Sequence, residues 1–344
     1  MSTLAISRQI GKTTSTRKPR IGFLGVGWIG RNRMEAMIQS ECIEARLICD
    51  PDTDMVRAAS ELAPKARLVD SFEEMLEGDI DGVVIATPSA MHARQTIEAL
   101  RRGKAVFCQK PLGRSAHEVR EVLSAAREAN RIVGVDLSYR YLRGIPTLRN
   151  IILSGDIGDV YGINCVFHNA YGPDKQWFYN PEESGGGCVI DLGIHLVDLA
   201  LWMMNFPEVT GVKSRLFAEG KPLNKRKLVE DYGVAQIEFD SGTAMNLACS
   251  WGLQAGCDAV IEMSFYGTKG GVSVKNVNGS FYDFLVERFH GTHRETLHRP
   301  PDAWGGRAGV AWARRLTIDP SFHPEIDSAT SVANVIDLMY ENHR

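Results

Sequence analysis

The chain lacks the features that mark disulfide-rich, zinc-binding or membrane-spanning proteins. Its seven cysteines are odd in number and form no C-x-x-C pair, which argues against a disulfide framework or a zinc knuckle. It contains no uninterrupted apolar stretch of about 18 residues, so the sequence does not support a membrane span. Most cysteines lie in apolar runs, where a thiol acts as a small buried hydrophobe. We therefore expect a soluble protein in a reducing cytoplasm.

The chain also lacks an excess of either charge. Lysine and arginine number 39 against 42 aspartates and glutamates, for a net charge of -3. Such a balance gives no global attraction to nucleic acid or to an anionic membrane, and we expect neither partner. The first twenty residues are basic, but they have no apolar core or cleavage site of an export signal. Residues 1–18 are predicted to form a flexible tail, and an arm ordered against a neighbouring subunit is the alternative.

The length of 344 residues predicts two domains, because a single core usually stops growing at about 250 residues. From residue 19 to 140, short β-branched runs alternate with segments of helical period, which is typical of a parallel α/β sheet. Two capping boxes, Ser71 with Glu74 and Ser115 with Glu118, predict helix starts. The predicted strands are 20–27, 44–50, 81–88, 104–108 and 131–139, and the predicted helices include 28–40, 54–63 and 91–102.

After residue 140 the alternation is lost, and residues 141–344 are predicted to form an α+β domain with an open-faced, mainly antiparallel sheet. Within it we predict a helix from Cys188 to about Met204 after the triple glycine 185–187, and a closing helix over about 328–342. The stretch 287–306 has few periodic apolar positions and is interpreted as a loop. An antiparallel sheet with one uncovered face favours pairing of subunits, so we expect a homodimer or homotetramer.

A glycine motif follows the first predicted strand. Residues 25–30 have the form G-x-G-x-x-G and open a predicted helix, which is the setting of a dinucleotide site. Gly25 permits the turn, Gly27 allows close approach of a pyrophosphate, and Gly30 allows helix and strand to pack closely. Asp50 lies 20 residues after Gly30 (50 − 30), where a carboxylate binds the ribose hydroxyls and repels a 2′-phosphate. The sequence thus predicts NAD as cofactor in preference to NADP.

Polar residues that could carry chemistry follow two of the elements. Lys110 comes after a strand, at the edge where open α/β sheets bind ligands, and could stabilise a developing alkoxide. Asp191, His195 and Asp198 stand at i, i+4 and i+7, so they share one face of the predicted helix. A histidine beside a carboxylate can act as a base near neutral pH. The structural alternatives are a helix-terminal carboxylate for Asp191 and a buried core histidine for His195. No metal site is predicted, since the chain offers no other cluster of ligands.

Four motifs in this order resemble the Gfo/Idh/MocA family over residues 19–342: GVGWIG, TPSAMH, QKP and SGGGCVIDLGIHLVDLALW. The resemblance implies a Rossmann domain followed by a sheet domain, and oxidation of a CHOH group in a sugar, inositol or related polyol, or the reverse reduction. It maps the catalytic lysine, aspartate and histidine onto Lys110, Asp191 and His195. Gln109 replaces the glutamate of the family's E-K-P motif. Loss of that carboxylate should let Lys110 give up its proton more readily.

The resemblance also implies the lining of the cleft. Tyr139 and Arg140 would contact substrate or serve as a structural linker. Trp177 would stack on the ligand or simply pack, and His168 is a weak candidate contact. The coenzyme residues are expected to be Gly25, Gly27, Trp28, Ile29, Gly30, Asp50, Thr87, Pro88, His92, Gln109 and Lys110. The substrate residues are expected to be Lys110, Tyr139, Arg140, His168, Trp177, Asp191 and His195.

Two other functions remain open on the sequence. Because a fold does not fix a function, the same architecture could serve as a catalytically silent, sugar-responsive regulator. Such a regulator would be free to lose Lys110, Asp191 or His195, and all three are present. The other alternative is a reductase of a non-sugar carbonyl or imine, for which this lysine and histidine are less diagnostic.

Overall fold

The computed structural model describes residues 17–223 and 228–342. Of the predicted tail, residues 1–16 lie outside these ranges, and only Arg17 and Lys18 lie within them. One helical segment of the described residues, Pro181–Met203, is long and apolar enough to cross a membrane by length and composition. Because 83% of its most apolar window is buried inside the protein, it has the character of a core helix.

The first sheet has six parallel strands in the order β3-β2-β1-β4-β5-β6, the doubly wound order of dinucleotide-binding folds. Its strands are β1 Arg20–Leu24, β2 Glu44–Cys49, β3 Arg67–Leu68, β4 Gly82–Ile85, β5 Ala105–Cys108 and β6 Val133–Val135. Its crossover helices are α1 Trp28–Gln39, α2 Thr53–Leu62, α3 Phe72–Glu77, α4 Ser89–Arg101 and α5 Ala116–Ala129. Separate apolar clusters cover the two faces, as the predicted α/β pattern requires.

Both predicted capping serines act as N-caps, but each glutamate reaches one residue further back than in a capping box. Ser71 Oγ accepts a hydrogen bond from the Glu74 amide at 3.1 Å, and Glu74 Oε2 accepts one from the Asp70 amide at 3.1 Å. The same arrangement recurs where Ser115 caps α5. These caps stabilise the first turns of α3 and α5.

The second sheet has nine strands in the order β15-β14-β13-β12-β7-β11-β10-β8-β9 and is antiparallel except where β7 pairs with β11. Its strands are β7 Val160–Asn169, β8 Val209–Ala218, β9 Lys221–Pro222, β10 Tyr232–Phe239, β11 Ala244–Ser250, β12 Ala259–Gly267, β13 Gly271–Asn276, β14 Phe284–His290 and β15 His293–His298. The helices after residue 140 are α6 Ile145–Leu153, α7 Pro181–Ser184, α8 Ile194–Met203, α9 Arg307–Ile318 and α10 Ser328–Glu341. One face of this sheet packs against α6, α8 and α10 in the largest apolar cluster.

Three elements differ from the sequence prediction. The loop predicted over 287–306 is wrong, because half of it belongs to strands β14 and β15, which are joined by a turn at Gly291 with φ +55°. The strand predicted over 131–139 is only three residues long, and Ser138–Tyr141 form a 3₁₀ turn. The single helix predicted from Cys188 begins as a π-helical turn, Val189–Gly193, before α8.

Helix α9 returns the chain to the first sheet after the second sheet is complete. Trp312 on α9 packs against Phe107 of β5, with ring centroids 5.8 Å apart. Gly82 and Gly134 face the same indole, and a Cβ at either position would lie within 3.0 Å of it. The apolar core of the first sheet therefore includes residues far beyond the predicted boundary at residue 140, which itself remains a prediction.

Candidate active site

The glycine turn has the shape that a dinucleotide requires. Gly25 has φ +81°, and a Cβ there would lie 2.5 Å from the carbonyl oxygen of Ala86. A Cβ on Gly30 would lie 2.1 Å from the carbonyl oxygen of Gly25, whereas one on Gly27 would meet no atom of the described residues within 4 Å. Gly27 starts α1 without a side-chain cap, so backbone amides are left for an anionic ligand. The open space at Gly27 fits a pyrophosphate.

Asp50 connects the end of β2 to this turn. Its Oδ2 accepts a hydrogen bond from the Val26 amide at 2.7 Å, and its Oδ1 accepts one from the Asp52 amide at 2.9 Å. Each oxygen keeps a free lone pair, so the carboxylate can still accept a hydrogen bond from a hydroxyl. Beside the turn, Trp28 is exposed and Ile29 is half-buried. The coenzyme contacts of these residues remain predictions.

His92 lies beneath the strand ends instead of facing the cleft. Its side chain is buried, and its two ring nitrogens lie 2.7 Å from the carbonyl oxygens of Thr87 and Pro111. Burial lowers the pKa of His92, and a neutral imidazole has only one N–H to donate. The Thr87 hydroxyl donates to Gln95 Oε1 at 2.7 Å, and Pro88 precedes α4. His92 therefore connects the end of β4 to the residue that follows Lys110.

Lys110 and Asp191 meet across the cleft between the two sheets. Lys110 Nζ lies 2.5 Å from Asp191 Oδ1 and 2.8 Å from the backbone oxygen of the same residue. The other carboxylate oxygen accepts a hydrogen bond from Trp251 Nε1 at 3.0 Å. Both charged side chains are largely buried, which strengthens their interaction. Nothing in the sequence pattern singled out Trp251.

His195 lies one turn beyond Asp191, on α8. Its ring centroid is 5.0 Å from that of Tyr139, which also packs against Trp304 at 4.9 Å. The buried Nδ1 has no hydrogen-bond partner among the described residues. Burial, and then the positive charges of Lys110 and Arg33, lower the pKa of His195 well below its usual value. The imidazole is therefore neutral at pH 7, and a neutral imidazole can accept a proton.

Asp198 does not join this pair, contrary to the predicted shared face. Its carboxylate receives hydrogen bonds from Arg140 at 2.5 and 2.9 Å, and both side chains are buried. The guanidinium also lies over the rings of Trp202 and Phe206, at 5.7 and 5.6 Å. These contacts favour the structural-linker alternative for Arg140. The π-helical turn before α8 changes the spacing that a regular helix would have given.

The other two predicted substrate contacts are His168 and Trp177. His168 Nδ1 is 2.8 Å from Ser250 Oγ, and its ring stacks on Tyr232 with centroids 6.0 Å apart. Tyr232 and Ser250 line a cavity of about 350 Å³ that also borders Trp251. His168 therefore contacts two of the residues that line this cavity. Trp177 stacks on Phe178 at 3.8 Å, and Phe178 in turn contacts Trp251.

Gln109 belongs to a buried charged group that the sequence did not indicate. Its Nε2 donates to Asp136 Oδ2 at 2.7 Å, and Arg33 Nε donates to the same oxygen at 2.6 Å. The removal of negative charge that we predicted at position 109 is therefore only part of the change, because Asp136 supplies a carboxylate beside it. Elsewhere, the residues that the structure describes contain no group of three or more histidine, cysteine or acidic side chains placed to hold a metal.

Glu230 and Tyr340 pack directly against the triple glycine and leave no room for side chains at Gly186 and Gly187. Glu230 Oε1 accepts hydrogen bonds from the amides of Gly187 and Val189 at 2.9 Å and from the Tyr340 hydroxyl at 2.8 Å. A Cβ on Gly187 would lie 1.9 Å from the Glu230 carbonyl oxygen, and one on Gly186 would lie 2.0 Å from the Tyr340 oxygen. Glu230 thus anchors the start of the helical segment that carries Asp191 and His195.

Comparison with known proteins covers both halves of this site. Residues 19–137 match the family described as an oxidoreductase family with an NAD-binding Rossmann fold, and residues 145–273 match the GFO/IDH/MocA C-terminal domain. The chain belongs to the Gfo/Idh/MocA family. It is accordingly an oxidoreductase with an NAD-binding Rossmann domain, as its glycine turn also indicates.

Several curated Gfo/Idh/MocA relatives are similar over most of the chain. D-glucoside 3-dehydrogenase of Escherichia coli is 27% identical, with 76% of this chain and 79% of that protein covered. scyllo-Inositol 2-dehydrogenase (NAD(+)) of Bacillus subtilis is 28% identical, with 79% and 82% covered. D-Apiose dehydrogenase of Paraburkholderia graminis is 26% identical, with 91% and 80% covered.

Solved structures share the fold. GenD2 from gentamicin A biosynthesis, in complex with NAD, superposes with a TM-score of 0.79 at 24% identity and covers 94% of both chains. Levoglucosan dehydrogenase in complex with NADH and L-sorbose gives a TM-score of 0.80 at 19% identity, covering 94% of this chain and 96% of that one. The predicted fold, a Rossmann domain followed by a mainly antiparallel sheet domain, is confirmed.

Proposed function

We propose that this chain is an NAD-dependent dehydrogenase acting on a CHOH group of a sugar, inositol or related polyol, or catalysing the reverse reduction. The observation that carries the proposal is the meeting of Lys110 with Asp191 beside a neutral His195, at the carboxyl edge of the NAD-binding sheet. Open α/β sheets bind ligands at this edge. The relatives named above, dehydrogenases of a glucoside, an inositol and a pentose, support the substrate class.

The coenzyme, when bound, accepts or returns a hydride. His195 takes the proton of the substrate hydroxyl, and Lys110 stabilises the negative charge that develops on the same oxygen. Asp191 holds Lys110 in place and can accept a hydrogen bond from a neighbouring substrate hydroxyl. Trp251 fixes the carboxylate of Asp191 through its indole N–H. Each role uses a group already held by the protein, so little reorganisation is needed during the reaction.

Aromatic side chains provide a surface for a sugar next to these groups. Trp177, Phe178 and Tyr179 follow one another, and both Phe178 and Tyr179 contact Trp251, with centroids 6.2 and 5.8 Å apart. The C–H face of a pyranose or cyclitol ring is apolar and packs well on aromatic rings. Tyr139 completes the floor of the cleft beside His195.

A screen of sugars, inositols and their acids tests the proposal. The purified chain is incubated with NAD or NADP, and formation of the reduced coenzyme is followed by absorbance. We expect turnover of at least one sugar or polyol with NAD. Turnover confined to the reduction of non-sugar carbonyls or imines would replace the proposal with the reductase alternative. Sugar binding without turnover would favour the regulator.

Replacing Asp50 with alanine is expected to weaken discrimination against NADP. The carboxylate lies at the end of β2, where it binds the ribose hydroxyls and repels a 2′-phosphate. The measurement is the ratio of kcat/KM for NAD to that for NADP, which should fall about tenfold or more. Asp52, two residues further on, caps α2 through its own carboxylate and provides a matched control, Asp52→Ala. An unchanged ratio in Asp50→Ala would show that another group recognises the ribose.

Assembly and location complete the proposal. One face of the second sheet is covered by helices, and the other carries exposed polar residues such as Asn164 and Asn246. We propose that this face pairs subunits in a homodimer or homotetramer, which light scattering would detect. The seven cysteines are free thiols, which supports a cytoplasmic location.

A further inference from the structure

Three polar side chains from distant parts of the sequence form a buried network behind Lys110. Asp136 is 1% exposed, Gln109 6% and Arg33 9%. Asp136 Oδ2 accepts hydrogen bonds from Arg33 Nε at 2.6 Å and from Gln109 Nε2 at 2.7 Å, while Oδ1 has no partner among the described residues. Burial of a charge is costly unless the charge is paired, so a network of this kind needs a function or a structural reason.

Each member of this network comes from a different element at the same edge of the first sheet. Arg33 is on α1, Gln109 follows β5, and Asp136 follows β6. The backbone hydrogen bonds between strands β4, β5 and β6 continue one residue beyond the strand ends. The Asp136 amide donates to the Cys108 carbonyl at 2.9 Å, and the Gln109 amide donates to the Ile85 carbonyl at 2.9 Å. Gln109 is bonded to Lys110, so the network holds the strand end from which Lys110 projects.

The network also contributes to the charge around His195. Arg33 is one of two positive groups that lower the pKa of this histidine, and Asp136 is the carboxylate that pairs with Arg33. Asp198, on the same helix, is neutralised by Arg140. The charged or titratable groups around Lys110 and His195 are Asp191, Arg33, Asp136, His92, Tyr139, Tyr282, Asp198 with Arg140, and Glu262 across the small cavity beside His195.

We propose that Arg33, Asp136 and Gln109 act together as positioning residues, which fix the strand end from which Lys110 projects, while the opposite charges of Arg33 and Asp136 balance each other near His195. The inference rests on the proposed function for the roles of Lys110 and His195. It also explains why position 109 carries an amide. A glutamate there would place a second carboxylate at hydrogen-bond distance from Asp136, and two carboxylates so close cannot both stay ionised.

The test measures the protonation of His195 directly, without substrate. The protein is labelled with ¹³C-histidine, the His195 signal is assigned with His195→Gln, and its pH titration is followed by NMR. Arg33→Gln removes a positive charge, so the midpoint should rise by on the order of 0.5 to 1 pH unit. Asp136→Asn removes a negative charge, so the midpoint should fall. The pH at which kcat/KM falls on the acid side of its profile should shift in the same directions as the midpoint.

Two further variants separate charge from folding. Arg33→Lys keeps the charge and should leave the midpoint in place, and the double variant Arg33→Gln with Asp136→Asn should return it close to wild type. Glu287→Gln is the matched control, because Glu287 is a buried carboxylate paired with Lys275 and Arg294 in the second sheet. It should leave the His195 titration unchanged.

Equal midpoints in wild type and Arg33→Gln, or shifts in the same direction for Arg33→Gln and Asp136→Asn, would overturn the inference. So would a double variant that keeps the wild-type kcat/KM, since the strand end of Lys110 would then be held without the network. The NMR result does not depend on the substrate screen. A failed screen with opposite midpoint shifts would therefore count against the proposed function alone.

Discussion

Replacing Lys110 with alanine is expected to lower kcat/KM by a factor on the order of 10² or more, while NAD still binds. Lys110 Nζ is held at 2.5 Å from Asp191 Oδ1 and 2.8 Å from the Asp191 backbone oxygen. In the proposed mechanism, its removal takes away the positive charge that stabilises the developing oxyanion. We expect the pyrophosphate of the coenzyme to bind at the glycine turn, which the substitution does not touch. Steady-state kinetics and a separate titration of NAD binding measure the two effects.

Lys104 provides a matched control for this substitution. It precedes the same strand at its other end, where its Nζ donates to the backbone oxygens of Gly78 and Ile80 at 3.3 and 3.0 Å. Lys104→Ala removes the same side chain from the opposite edge of the sheet, so it should keep kcat/KM near that of the wild type. Lys110→Met separates charge from volume and should be as inactive as the alanine variant. Turnover near the wild-type rate in either Lys110 variant would refute the catalytic role.

The first domain could be predicted from the sequence because its signals are local. Buried parallel strands appear as apolar runs, helices between them show a 3.6-residue period, and serines mark the helix starts. The glycine turn was predictable for the same reason, since Gly25, Gly27 and Gly30 form one motif within six residues. The family resemblance added Lys110, Asp191 and His195 as catalytic residues, and their roles remain predictions.

The second domain was less predictable because its edge strands lack a buried face. Residues of β15 are exposed or half-buried throughout, so no alternation of apolar and polar side chains marks the strand. The preceding β14 alternates only in part, because Glu287 is buried by pairing with Lys275 and Arg294. From the sequence alone, a charged residue such as Glu287 is predicted to lie on the surface. Its partners, Lys275 and Arg294, come from neighbouring strands.

The same limit explains the residues that the sequence did not indicate at the site. Trp251 reaches Asp191 from the end of β11, and Arg33 reaches Asp136 across 103 residues. Such contacts depend on where two sheets and their helices meet, and they leave no periodic trace. Asp198 shows the converse, since regular helical spacing placed it with Asp191 and His195, whereas the π-helical turn changes its spacing from Asp191 and Arg140 pairs with it.

Replacing Glu230 with alanine should lower the free energy of unfolding by about 3 to 5 kcal/mol, because three buried donors lose their acceptor at about 1 to 3 kcal/mol each, with partial relaxation. The donors are the amides of Gly187 and Val189 and the hydroxyl of Tyr340. No water can reach the segment easily, since Glu230 is 1% exposed. Denaturation by urea, followed by fluorescence, measures the change.

Tyr340→Phe is the graded control, because it removes only one of the three hydrogen bonds to Glu230 and should cost about 1 kcal/mol. The two variants should also differ in catalysis. Glu230 holds the start of the segment that carries Asp191 and His195, so its loss lets that segment shift relative to Lys110, and a shift of about 1 Å can cost 10²-fold in rate. Tyr340→Phe leaves both backbone bonds to Glu230 and should keep most of the activity. Equal losses of stability and activity in the two variants would show that the hydroxyl, and not the backbone anchor, holds the helix in place.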